Sequence, residues 1–406
     1  MKSKLCLLLV VAIGSNCNLL SAANSSLSEL AHANNTFAFK LLKQLSVEQP
    51  QASILVSPYS TATALQLVAR GAAGRTLREM QQALKISDLS ADALNAATKA
   101  AAEGLNPKDT NVILTTANAL WYRQGVTMKP AFLEASRQFS DVAIRPLDFN
   151  NASAAEAIIN QWANDQTHGR ITAIADGLID PIYTDLVLAN AIYFKGRWHA
   201  PFDAKLTKER PFHPMVGPAK NRPMMEKHSR FTYRQGSGYQ AVRLPYVGWR
   251  LGMYVFLPDP GSNPTKLLRI MNGDNWRRVT IPGFSKRDGW LVLPKFKLEN
   301  TLDLKPAVQA LGIKTAFNAQ KKQPDADFSG MFDEPHHLSA VRQKAFVEVN
   351  EQGTEAAAVT GLTAKSAGPQ SDPPKPFQMI VDRPFLFAIV DAQTEMILFM
   401  GLINEL

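Results

Sequence analysis

The sequence predicts an α+β fold in a single large domain, on three observations. Helix-like and strand-like segments come in blocks instead of alternating strictly, which argues against a doubly wound parallel sheet. No repeat, low-complexity linker or charge run divides the 406 residues. Apolar residues at 46% and charged ones at 19% are the proportions of a folded soluble chain with a sizeable core.

The first segment reads as an address. Lys2 and Lys4 precede an apolar run over residues 5–13, and Ser21-Ala22-Ala23 supplies the small residues a signal peptidase needs. Residues 1–23 are therefore expected to be a signal peptide cut after Ala23, leaving 24–406 as the domain. The run is too short to span a bilayer, so no membrane insertion is expected. Export would make the protein secreted and extracellular, or periplasmic in a Gram-negative host. Both cysteines, Cys6 and Cys17, fall in this leader, so the exported chain would hold no disulfide and no Cys ligand or nucleophile. Asn24, Asn34 and Asn151 each open an Asn-x-Ser/Thr sequon.

Apolar residues recur at helical spacing over residues 26–45, among them Leu27, Leu30, Phe37, Leu41 and Leu45. A second helical run, residues 60–84, follows the start signal Ser57-Pro58. Residues 112–121, 185–193 and 251–257 have strand texture, with apolar runs bounded by Gly or Pro. Residues 385–391 and 396–401 read as a hairpin of buried strands.

Catalytic signatures are missing. There is no Gly-x-Ser-x-Gly, no Gly-rich phosphate loop, no His-Glu-x-x-His and no Cys-x-x-Cys. Of seven histidines only His336 and His337 are adjacent, and after Pro335 they read as a solvated loop instead of a metal site. No enzyme activity, cofactor or metal is expected. The net charge of +9 invites a polyanion, yet the bases are scattered: Arg70, Arg75 and Arg78, then Arg277 and Arg278, then Lys321 and Lys322. A solvated basic surface with no nucleic-acid partner accounts for them, and polyanion binding stays open.

The stretch VNEQGTEAAAVTGLTAKSAGPQ, residues 349–370, fits neither a plain loop nor a plain strand. Taken as a strand from Thr354 to Ala367, one face carries only uncharged residues, Thr354, Ala356, Ala358, Thr360, Leu362, Ala364 and Ser366, nearly all of them small. Glu355 and Lys365 share the other face. The uncharged face could bury while both charges stay in water. The Pro-rich run from 369 to 376 then excludes an interior strand.

Gly353-Thr354-Glu355-Ala356-Ala357-Ala358-Val359-Thr360, preceded by Phe346-Val347-Glu348-Val349-Asn350-Glu351, resembles the hinge of the reactive-centre loop in serpins, the serine protease inhibitor superfamily. Other landmarks follow in serpin order, including Asn118-Ala119-Leu120-Trp121, Thr167-His168-Gly169-Arg170-Ile171, Asn190-Ala191-Ile192-Tyr193-Phe194-Lys195-Gly196-Arg197-Trp198 and Asp382-Arg383-Pro384-Phe385. The resemblance implies three β-sheets, eight or nine helices and an exposed loop over about 351–383. It implies a monomer that acts as a suicide substrate: a serine protease cuts the loop, is held as an acyl-enzyme, and the cut loop enters the central sheet as a new strand. It assigns Glu351, Gly353, Thr354, Glu355, Ala356, Ala357 and Ala358 to the hinge, and Asn190 and Trp198 to the sheet opening.

Counting seventeen residues from Glu351, as the family pattern does, puts the reactive bond at Ala367-Gly368. That suits an elastase-like or subtilisin-like protease, while the rival Lys365-Ser366 suits a trypsin-like one and Leu362-Thr363 is a third choice. The chain departs from the family in a longer span from Ala367 to Pro384. Residues 90–106, where some serpins carry a basic helix, hold only Lys99 against Asp92 and Glu103. The alternative within the family is a non-inhibitory carrier or binding protein.

Overall fold

The computed structural model describes residues 4–105, 111–139, 142–319, 325–354 and 375–406. Among these, the helices are α1 (Lys4–Glu48), α2 (Pro58–Arg70), α3 (Gly74–Leu84), α4 (Ala91–Leu105), α5 (Pro130–Phe139), α6 (Ala152–Gln166), α7 (Pro264–Ile270), α8 (Gly273–Asn275) and α9 (Lys305–Ala310). Helix α1 runs unbroken through residue 23. The run expected as one helix over 60–84 is two. Gly71 ends α2 with its amide on Val68 O, and Met331 packs so closely that a Cβ at Gly71 would lie 2.1 Å from Met331 Cγ. The segment at 327–330 then takes the freed backbone groups, with Ala73 N donating to Asp327 O and Gly330 N to Gly71 O.

Six strands, β2 (Val112–Arg123), β3 (Val142–Leu147), β4 (Leu186–Arg197), β10 (Phe296–Asp303), β11 (Leu338–Asn350) and β12 (Gly353–Thr354), form one sheet ordered β10-β11-β12-β4-β2-β3. Nine more, β1 (Ile54–Val56), β5 (Lys208–Phe212), β6 (Lys220–Gly236), β7 (Tyr239–Pro245), β8 (Leu251–Pro258), β9 (Ser285–Pro294), β13 (Phe377–Ile380), β14 (Phe385–Asp391) and β15 (Met396–Ile403), form a second hydrogen-bonded network. Strand β6 serves two sets in it, pairing β5 and β9 along most of its length and β7 at its C-terminal end. The third sheet is thus a small set continuous with the second. The expected hairpin is β14 on β15, antiparallel.

Strand β4 explains the layering. Leu186, Leu188, Ile192 and Phe194 enter the main core, while the alternate residues Val187, Ala189 and Ala191 enter a second cluster with Ile159 and Trp162 of α6. Helix α6 buries Ala155, Ile159, Trp162 and Ala163, the spacing of one helical face, and Asn151 caps it by accepting the Ala154 amide. Both faces of β4 are covered, so its sequence reads as a continuous apolar run.

Two local expectations change. His336 and His337 are not a solvated loop: both sit against Asp185, with His336 Nδ1 at 2.9 Å and the His337 amide at 2.9 Å. Burial opposes charge on Asp185, but the hydrogen bonds from His336 and His337 outweigh it and hold the carboxyl below its ordinary range. Asn34 is buried, and the Nδ2 that a glycan would need donates instead to Ile397 O at 3.0 Å.

Candidate functional site: a hinge seated between two strands

Strands β4 and β11 pair in parallel from Leu186 with Leu338 to Tyr193 with Phe346. Beyond that point β12 takes the space between them. The chain turns at Glu351-Gln352 and returns as Gly353-Thr354, antiparallel to β11 on one side and to β4 on the other, with Gly353 opposite Arg197 and Thr354 opposite Gly196. Gly353 permits this close approach: at φ +150° a Cβ would lie 2.1 Å from Gly196 O and 2.7 Å from Arg197 Cα.

Thr354 is fully buried, and its hydroxyl shares a 2.8 Å hydrogen bond with the Tyr246 phenol. Tyr246 stacks on Trp198 at 4.6 Å between centroids and meets Phe194 edge-on at 5.0 Å. Burial pushes its hydroxyl far above the ordinary phenol value, with the Thr354 hydrogen bond in partial opposition, so it is a neutral partner. The Trp198 indole donates to Asn350 O at 3.0 Å, and its amide to Gln352 O at 2.9 Å. Glu351 receives Lys295 Nζ at 2.9 Å and the Thr207 hydroxyl at 2.8 Å. Burial opposes its charge, but Lys295, backbone and Thr207 hydrogen bonds together keep the carboxyl below its ordinary value.

Of the residues expected at this site, Glu351, Gly353, Thr354 and Trp198 come together. Asn190 lies deeper, six residues along β4 from Gly196 or about 20 Å. There it stands opposite Gln343 of β11 and accepts Gln343 Nε2 at 2.6 Å, while its own amide reaches Ser60 and Asn118. Gln343 also ties down Ser57, accepting its amide at 2.7 Å and donating to its carbonyl at 3.0 Å. Glu355, Ala356, Ala357, Ala358 and both proposed bonds, Ala367-Gly368 and Lys365-Ser366, lie outside the described residues. Tyr246, Lys295, Thr207 and Gln343 were not singled out by sequence. Their partners are 50 to 150 or more positions away, and no local pattern marks them.

Among the described residues, no group of three or more His, Cys, Asp or Glu side chains is placed to hold a metal ion. The geometry is a closed parallel seam between β4 and β11 with the two residues of β12 seated between the strands at its upper end. That is an α+β architecture of two main sheets and a third small strand set, with a two-residue strand seated between β4 and β11.

The comparisons agree with that class. A family model described as serpin (serine protease inhibitor) matches residues 32–406. Serpin B8 of Homo sapiens is 35% identical over 384 residues, 92% of this chain and 99% of that one. The structure of the thermophilic serpin Tengpin in the native state superposes with a TM-score of 0.82 at 26% identity, covering 93% of this chain and 94% of that one. Human thyroxine-binding globulin, solved as a ligand complex, gives 0.81 at 26% identity over 94% and 99%. The chain belongs to the serpin family, whose members are protease inhibitors and not enzymes, with some non-inhibitory carriers. The expected export is corrected by the same findings: Serpin B8, and the similar Serpin B6 and Serpin B9, are intracellular serpins, and secretion has no support from them.

Proposed function

We propose that the protein inhibits serine proteases as a suicide substrate. The target attacks the loop that follows Thr354, an acyl-enzyme forms, and the freed segment enters between β11 and β4 before water can release the protease. The observation that carries this reading is the hinge itself. Gly353 and Thr354 already pair with both strands, so the first step of insertion requires no new opening. The following residues Ala356 and Ala358 continue the small, uncharged face that such a slot accepts.

We assign the reactive bond to Ala367-Gly368, with an elastase-like or subtilisin-like target, and keep Lys365-Ser366 with a trypsin-like target as the rival. The test mixes the full chain with an elastase and with a trypsin, resolves covalent complexes on denaturing gels and weighs the released C-terminal peptide. An adduct with a peptide starting at Gly368 supports the first assignment, and one starting at Ser366 the second. Cleavage by both proteases without any adduct overturns inhibition in favour of the carrier reading.

A further inference from the structure

Trp198 has a second role beside the hinge, as one wall of a cavity of about 120 Å³ on the side of β6, β7 and β9. Lys227, Arg230, Arg243, Lys286 and His199 line it, and no carboxylate does. Asp288 stands cross-strand from Arg230 but forms no ion pair with it. The Lys227 ammonium is fixed by two neutral acceptors, Ala200 O at 2.7 Å and Pro201 O at 3.1 Å, and burial lowers its pKa to about 8. Arg243 is held by the Trp249 carbonyl at 2.9 Å, which leaves its buried Nε without a hydrogen bond.

Trp249 forms the rim. It is 46% exposed and sits at φ +63°, a left-handed conformation that bulky side chains seldom adopt. His199 packs on its ring at 4.2 Å, and the Lys286 ammonium lies 5.5 Å from its centroid. Lys227 and Arg243 are held in place by carbonyls while Arg230 and Lys286 are exposed beside them, and the mutual repulsion of these four cations would be relieved by a counter-ion. At about 120 Å³ the cavity is several times what a single water needs, room enough for a tetrahedral oxyanion.

We infer that this cavity binds a sulfate- or phosphate-type oxyanion and that the bound anion steadies the Trp198 that holds the hinge. Trp198 is the connection, since it lines the cavity and donates to Asn350 O and Gln352 O. The binding half of the inference is independent of the inhibitory reading, and the effect on the hinge rests on it.

The experiment titrates the full chain with sodium sulfate, and separately with inorganic phosphate, at ionic strength held constant with sodium chloride. Tryptophan fluorescence is followed, with Trp249→Asn assigning the signal, because Asn tolerates the left-handed backbone. A saturable change is expected, and Arg230→Gln combined with Lys286→Gln, both exposed positions, should weaken the midpoint about tenfold or more. A short sulfated oligosaccharide separates the sources: a tighter midpoint per sulfate identifies a carried group, and an equal one a free ion. A response linear in salt, or one unchanged in the double variant, overturns the site. Trapping of a protease is then timed with and without saturating sulfate. An unchanged rate removes the coupling to the hinge, whereas absence of any adduct refutes the inhibitory reading and leaves the fluorescence result standing.

Discussion

Replacing Thr354 by Arg puts the proposed mechanism under the hardest strain. Thr354 has no exposed surface, and its hydroxyl faces the neutral Tyr246 phenol inside a wall of Trp198 and Phe194. An uncompensated buried charge costs on the order of 3–5 kcal/mol, so seating the hinge should become unfavourable by about that amount. If the same penalty enters the barrier to insertion, the rate falls by roughly a hundredfold to several thousandfold, at about 1.4 kcal/mol per tenfold. The acyl-enzyme divides between insertion and hydrolysis, so the variant should be cleaved as a substrate and release active protease. Titrating residual protease activity against inhibitor measures this directly, and denaturing gels show the adduct giving way to cleaved chain. Tyr246→Phe is the graded control: it removes only the shared hydrogen bond, leaves the Thr354 hydroxyl unpaired and should cost about 1–3 kcal/mol. Glu355→Ala, on the face assigned to water, should change little. Trapping by Thr354→Arg at wild-type stoichiometry would refute insertion at this slot.

Gly353→Val should also abolish the adduct, because the new Cβ would meet the Gly196 carbonyl at 2.1 Å and backbone cannot yield as a side chain can; gels with the target protease check it. Gln343→Leu should destabilise the native chain by about 2 kcal/mol or more, since the Ser57 amide and carbonyl and Asn190 Oδ1 lose a buried partner together; calorimetry should show a lower Tm. Glu79 supplies a pH test. Burial opposes its charge, but the Thr315 amide, Arg75, the Lys314 amide and the Thr315 hydroxyl hold its pKa at about 2, below the ordinary 4.5. A depressed folded value means that its stabilisation is complete above pH 4.5 and is lost as pH falls toward 2. Urea unfolding across that window should therefore show a flatter profile for Glu79→Gln than for the native chain.

The seated pair Gly353-Thr354 was legible in outline because its chemistry is local: a glycine that allows close backbone approach is followed by a small residue that can be buried. Strand β4 was legible for a similar reason, as an apolar run covered on both sides. The seat was not legible. Tyr246 and Thr354 are 108 positions apart, and nothing near Tyr246 in sequence distinguishes it from any other buried aromatic. Gln343 is a lone polar residue in an apolar strand until the parallel register sets it opposite Asn190. The division of the 60–84 run depended on Met331, which approaches Gly71 from the far side of the chain. His336 and His337 look like loop residues until β4 and β11 bring Asp185 beside them.

The closed seam also accounts for why a cut would be needed. On the proposed reading, insertion exchanges one parallel ladder for two antiparallel ones, which doubles the backbone pairing in a somewhat better geometry. Thr354 to Ala367 would extend about 46 Å against about 43 Å for the 13 residues of β11, so the segment and the slot match in length. Opposing this are the Asn190–Gln343 bridge at mid-seam and the Asp185 contacts with His336 and His337 at its far end. A second restraint lies beyond the loop. Phe377 begins β13 on β9, stacked on Tyr233 at 3.9 Å, and Arg287 holds the Lys375 carbonyl at 2.8 Å. With Thr354 held in one sheet and Phe377 in the other, any advance of the uncut chain down the seam has to work against the β13 clamp. Cutting one bond between them releases the N-terminal side alone, and the pairing gained can then act against the bridge and the clamp in turn.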